Sequence, residues 1–397
     1  MKNFKNFICL TSTFSLLCFS TLAYGQESEL LKDIHSFSSF PGGFYEFKQK
    51  VYFTAQDDST GTELWSSDGT ESGTQRVKDI NPGEDNSFIV IYTSFDGKLY
   101  FRANDGTNGM ELWATDGTEA GTQMVKDINP SGSSNPGPMT EYDGKFYFRA
   151  DDGSNGRELW VTDGTEAGTQ LLKNINPSSS SDPDYFTIYK DKLYFAADDG
   201  TNGRQMWVTD GTKSGTQLFK DFEPGNQDGD PSGFTVYNGK LYFEADNNVD
   251  GDELWVTDGT EAGTQMLKDI NTQGTVNKGN SNPGGFIVYD GKLYFAATDD
   301  DNGRELWVSD GTEQGTEMLK DIHPSSSGFS GWLTIFNNKL FFTADDDIHG
   351  EELWETDGTE QGTKMVRDIH PTSSSQPDYL TIYGNQLFFR ARGDVNG

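Results

Sequence analysis

Several side-chain types recur along this chain at spacings that invite a chemical reading. Carboxylates precede a Leu-Trp pair at Glu111, Glu158, Glu253, Glu305 and Glu352, while in one copy the amide Gln205 precedes Met-Trp. Carboxylates act as acid, base or nucleophile when different surroundings push their pKa values apart within one pocket. A periodic set lacks that asymmetry, so these positions read as framework and no acid/base pair stands out. The neighbouring tryptophans, Trp65, Trp113, Trp160, Trp207, Trp255, Trp307 and Trp354, offer aromatic faces of the kind that stack on sugars. A Trp inside an apolar strand more simply fills a core, and packing is the expectation here. Trp332 stands outside the pattern and is the better candidate for an exposed aromatic.

Two further groups have metal-ligand chemistry. Asp151-Asp152-Gly153-Ser154-Asn155-Gly156 and Asp299-Asp300-Asp301-Asn302-Gly303 cluster hard oxygen donors of the sort calcium prefers. They lack the alternating acids and distant Glu of an EF-hand loop. Ordinary Asp/Asn/Gly turns are therefore expected, with Asp151, Asp152, Asp299, Asp300 and Asp301 as the candidate ligands if calcium binds. His35, His323 and His370 share one repeat position. Zinc needs its ligands converged on one point, and copies in separate repeats are too far apart, so loop capping is expected.

The elements that carry these residues are set by a repeat. Successive motif tryptophans are 48, 47, 47, 48, 52 and 47 residues apart, the length of one four-stranded propeller blade. In the copy from Ser232 to Phe286, Phe234-Thr235-Val236-Tyr237 is a β-branched and aromatic strand A. Asn238-Gly239 suits a two-residue type I′ hairpin. Strand B follows as Lys240-Leu241-Tyr242-Phe243-Glu244-Ala245, and strand C as Glu253-Leu254-Trp255-Val256-Thr257. Asp258-Gly259-Thr260, able to bond its own loop amides, turns the chain into strand D, Gln265 to Ile270. Three tight turns and one long link per repeat predict an all-β fold, a β-propeller of about 47-residue four-stranded blades.

Strands A and B occur eight times but strand C only seven, which favours eight blades, with seven as the alternative. Leu31-Lys32-Asp33-Ile34 copies a strand D and precedes the first strand A, so it is expected to complete the last blade. Gly397 aligns with the glycines that lie two residues before each strand-C Glu or its equivalent, so the chain stops where an eighth Glu-Leu-Trp would begin. An incomplete closing blade or, preferably, a truncated reading frame is expected.

Residues 1–25 read as a secretory signal peptide: Lys2 and Lys5, an apolar stretch from Phe7 to Leu22, then Ala23-Tyr24-Gly25. Residues 26–397 are expected to form a single propeller domain. Both cysteines, Cys9 and Cys18, fall in the leader, so packing alone must stabilise the remainder. The formal charge of −33 repels phosphate backbones, which argues against nucleic acid as a partner. No segment after the leader is apolar enough for a transmembrane helix.

The run Glu111-Leu112-Trp113-Ala114-Thr115-Asp116-Gly117-Thr118 and its copies resemble the secreted bacterial family named for the ELWxxDGT repeat. The likeness covers nearly all of the chain after the leader; it departs at Gln205-Met206-Trp207 and at Lys213, where other copies have Glu. It implies an exported, secreted or cell-surface protein of propeller-like repeats, with no established catalytic activity or cofactor and no functional residues to carry over. The expected function is a non-catalytic binding scaffold for glycans or surface proteins, engaged through the variable loops 222–232 and 271–285. The alternatives are a polysaccharide-active enzyme and a structural repeat segment of a larger surface protein.

Overall fold

A computed structural model describes residues 9–12, 15–18, 30–272, 279–383 and 386–393. The leader falls mostly outside them, apart from a short hairpin of Cys9–Ser12 with Ser15–Cys18. The position at Gly397 and the centre of the 271–285 loop also lie outside.

Among the described residues the chain forms seven four-stranded antiparallel sheets, each in the sequential order A-B-C-D. We call them blades one to seven. In blade five, strand A is Ser232–Tyr237, B is Lys240–Asp246, C is Asp252–Thr257 and D is Gln265–Lys268. The A–B hairpin bends as its sequence demands, with Asn238 at φ 47° and Gly239 at 73°. Both central residues of a type I′ turn require positive φ.

The chain divides into two compact units, residues 1–183 and 184–397. The first holds blades one to three, and the second holds blades four to seven plus a two-stranded sheet, Asp378–Tyr383 with Gln386–Arg390. Within the second unit the A strands lie side by side in sequence order from Asp184–Tyr189 to Asp378–Tyr383.

Strand B of blade five is buried on both faces because the blade is sandwiched between neighbours. Leu241, Phe243 and Ala245 pack against Tyr194, Met206 and Val208 of blade four. Tyr242, on the opposite face of the pleat, packs with Leu254 and Val256 against Leu293, Phe295 and Trp307 of blade six. Alternation therefore assigns residues to two apolar interfaces rather than to core and solvent. All seven motif tryptophans are buried, at 5 to 8% exposure.

The Asp-Gly-Thr segment is a self-sufficient turn. Asp258 Oδ1 accepts from the Thr260 N–H at 2.9 Å and its hydroxyl at 2.6 Å, while Thr260 Oγ1 accepts from Gly263 N at 3.0 Å. Thr257 and Thr264 join hydroxyls at 2.7 Å beneath it. These bonds favour the ionised form and hold the Asp258 carboxyl below its usual range.

The sheet at 378–390 has two strands, and among the described residues Leu31–Ile34 is not a strand of it or of any other sheet. That segment instead sits against blade one as a strand D does against the blade after it. Ile34 packs on Phe53, Ala55 and Trp65, as Ile80 packs on Phe101, Ala103 and Trp113. Lys32 Nζ donates to Thr74 O at 2.6 Å, matching Lys126 to Thr169 O at 2.7 Å. Side-chain packing keeps its place.

Candidate functional site

The repeated acids prove to be fasteners. Glu63, Glu111, Glu158, Glu253, Glu305 and Glu352 have no exposed surface. Each carboxylate spans from strand C to the chain leaving strand D. Glu253 accepts from Ile270 N at 2.8 Å and Ser281 Oγ at 2.7 Å. Gln205 substitutes in blade four, accepting from Phe222 N at 3.0 Å and donating to Gln227 O at 3.0 Å. Burial pushes Glu253 and Glu305 up to about 7, opposed by the amides that cap them.

Three of the calcium candidates are bonded within their own loops. Asp151 Oδ1 accepts from Gly153 N at 2.7 Å. Asp152 accepts from Ser154 N at 2.9 Å, Asn155 N at 2.8 Å and Asn155 Nδ2 at 2.7 Å. Asp299 caps Asn302 N at 2.6 Å, and Asp300 and Asp301 follow it in an exposed turn. Among the described residues no cluster of His, Cys, Asp and Glu is arranged to hold a metal. His35 Nδ1 accepts from Phe37 N at 2.9 Å and so caps its loop, whereas His323 Nε2 stands 3.6 Å from Asp347 Oδ1.

A different set of residues converges in the second unit. A cavity of about 320 Å³ between blades four and five is lined by Asp184, Tyr185, Arg204, Asp230, Ser232, Glu244 and Asp252. Asp230 and Ser232 come from the 222–232 segment, where the sequence placed recognition. Glu244 lies near the end of strand B and Asp252 begins strand C. Backbone bonds fix this corner: Gly229 N and Asp230 N both donate to Arg204 O, at 3.0 and 3.1 Å. Ser232 Oγ donates to Glu244 Oε2 at 2.6 Å, and Arg204 Nε stands 3.7 Å from Asp230 Oδ1.

Burial disfavours charge on these acids, and their mutual repulsion adds to it. Asp252 is pushed up to about 6 by burial and then by Asp246 and Asp230. Burial also raises Glu244, opposed by the Ser232 hydroxyl, with Asp252 raising it further. Asp230 is raised by burial and Asp228, with Arg204 opposing. The pocket therefore combines carboxylate acceptors, a guanidinium donor and one acid that changes protonation near pH 6.

Sequence reasoning missed this trio because its members belong to different repeat positions, masked by the periodic acids. A signal was present at the fifth residue of strand B. Glu244 stands where Thr54, Arg102, Ala196 and Thr343 stand opposite the motif Leu or Met in other blades. In the first unit, Arg102 and Arg149 lie about the half-buried Tyr92, whose hydroxyl donates to Pro136 O. The repeat thus holds a constant frame around a variable lining.

Tyr185 forms part of the pocket wall from an uncommon backbone. Strand A carries one extra residue there, and Tyr185 has φ 59° with 49% of its surface exposed. The equivalent residue is Gly43, Gly233 or Gly285 in blades one, five and six, all with φ between 63° and 67°. Trp332 at 60° and Tyr379 at 54° share the position. Bulky residues rarely adopt this conformation, and bulges commonly re-aim a side chain.

No protein-family model matches the sequence, and no curated protein sequence matches it. Among solved structures, the chain is similar to a prolyl endopeptidase from a structural and mechanistic study of two such enzymes, with a TM-score of 0.50 and 11% identity. The match covers 90% of this chain but 50% of that one. A computationally designed protein, Ika8, matches with a TM-score of 0.47 and 16% identity over 91% of this chain and 96% of its own. The fold is a β-propeller.

Proposed function

We propose that this protein is an exported, non-catalytic binding scaffold of the ELWxxDGT-repeat type, and that its ligand is a glycan held at the strand-A rim of the second unit. The observation that carries this reading is the convergence of Asp230, Glu244 and Asp252 with Arg204 beside the exposed ring of Tyr185. Carboxylates and a guanidinium form directional hydrogen bonds to hydroxyl groups, and an aromatic ring covers the apolar face of a sugar. A rigid array presenting variable residues at fixed positions suits recognition. The test is glycan-array screening followed by calorimetry. Glu244→Gln with Asp252→Asn should weaken binding at least tenfold, and a protein that binds no glycan would overturn the reading.

The second reading is a polysaccharide-active enzyme. It rests on Asp252, raised to about 6 near a second carboxylate, Glu244. An acid poised near working pH beside another carboxylate is what general acid/base cleavage requires. Release of reducing ends from oligosaccharides, abolished by Asp252→Asn, would favour it over the scaffold.

A further inference from the structure

Three bulky aromatics occupy a backbone position that glycine fills in blades one, five and six. In the second unit the sequence across successive A strands is Tyr185, Gly233, Gly285, Trp332 and Tyr379. Because these strands lie side by side, the bulge residues form one row. Its second and third members have no side chain, and its ends are aromatic. Trp332 is 48% exposed and Tyr379 61% exposed, whereas the other seven tryptophans are buried.

The aromatic end is organised. The rings of Trp332 and Tyr379 lie 5.6 Å apart at 44°. The Arg390 guanidinium sits over the Tyr379 ring at 5.0 Å. Arg390 is in turn held by Asp378, with Nε donating to Oδ1 at 2.8 Å. Arg390 occupies the fifth position of strand B, the position of Glu244 in the pocket. At one end Tyr379 lies beside Arg390 of its own sheet, and at the other Tyr185 shares the pocket with Glu244 of the next blade.

We infer that Trp332, Tyr379 and Arg390 form a second subsite that stacks the C–H-rich face of a pyranose ring, making the ligand a polysaccharide chain long enough to engage both ends of the row. This inference rests on the glycan reading above and specifies its substrate class. Tilted exposed rings suit sugar faces, Arg390 supplies donors to hydroxyl groups, and between the two ends Gly233 and Gly285 project no side chain of their own, the Phe286 ring lying against Gly233. A compact ligand confined to the acidic pocket would have no use for the distal pair.

The test uses the full chain in native gels cast with xylan, mixed-linkage β-glucan or galactomannan, with Trp emission followed in solution. Wild-type protein should be retarded by at least one polymer, with a change in Trp emission on binding. Trp332→Gly should weaken binding at least tenfold and remove that change, while keeping its thermal midpoint, since glycine suits this backbone. Asp252→Asn should weaken binding but retain the emission change. Binding unaltered by Trp332→Gly but weakened by Asp252→Asn would overturn the subsite and leave the glycan reading standing. No retardation by any polymer would overturn both, as would retention of a proline-rich peptide instead. Equal affinity for a monosaccharide and its polymer would overturn the chain-length claim.

Discussion

Ser281 Oγ donates to Glu253 Oε2 at 2.7 Å across a sequence separation of 28 residues. This bond anchors the long connection leaving strand D, here the variable 271–285 segment, to the strand C of its own blade. Glu111 holds Ser134 in the same way at 2.6 Å, and Glu352 holds Ser375 at 2.6 Å. The motif Glu thus supplies a fixed post from which each variable connection departs.

These posts make stability depend on pH. The folded-state pKa of Glu253 and Glu305 is about 7, against an ordinary value of 4.5. The folded chain therefore binds these protons more tightly, so their stabilisation is complete below about pH 4.5 and is lost as pH rises through 7. At 1.36 kcal/mol per pKa unit, the effect is on the order of 3 kcal/mol for each group. Aspartates such as Asp258, whose pKa is lowered, lose their contribution only in more acidic solution. Urea unfolding should show greater stability at about pH 5 than at about pH 8. Glu253→Gln, which copies the natural Gln205 of blade four, should reduce that difference; an unchanged difference would contradict the assignment.

Gly203 should resist substitution far more than Gly144. Both have left-handed φ, 72° and 71°. A Cβ at Gly203 would lie 2.1 Å from Gln227 O, whereas at Gly144 it would meet nothing within 4 Å. Gly144→Ala should cost about 1–2 kcal/mol from backbone strain alone. Gly203→Ala should cost about 2–4 kcal/mol, because backbone must also move. Denaturation midpoints compare the two directly.

Tyr185→Gly should separate stability from function. At φ 59° a tyrosine is strained and glycine is not. The variant should keep or raise its thermal midpoint while losing glycan affinity, the pattern of strain retained for function. A marked fall in the midpoint would show instead that the ring is a packing residue.

Asp252→Asn should stabilise the fold selectively above pH 6. Burial and the neighbouring Asp246 and Asp230 raise Asp252 to about 6, so ionisation above that pH opposes folding. Below about pH 4 the carboxyl is protonated and the substitution should have little effect. Thermal scans at about pH 4 and about pH 8 test both arms.

Much of the frame was legible from local chemistry. Asn238-Gly239 announced its hairpin because few residue pairs accept two consecutive positive φ angles, and Leu241, Phe243 and Ala245 announced a buried face by alternation. The packing role of the tryptophans followed from their strand context. Leu31–Ile34 copies the side chains of strand D and packs on blade one as a strand D does, a resemblance the repeat pattern alone disclosed. The acidic pocket was illegible. Asp230, Glu244 and Asp252 are 14 and 8 residues apart along a chain already rich in acids, and nothing local distinguishes them.

Periodicity, turn chemistry and alternation are properties of neighbouring residues, so the sequence by itself determined the all-β repeat, the strand order within each blade and the self-bonded Asp-Gly-Thr turns. Tertiary structure alone decided which acids become buried fasteners and which share a cavity. It also placed Tyr185, Trp332 and Tyr379 in one row. Burial and mutual charge arise only when blades stack and bring residues from separate repeats together, and the left-handed bulges only when strand A pairs with strand B.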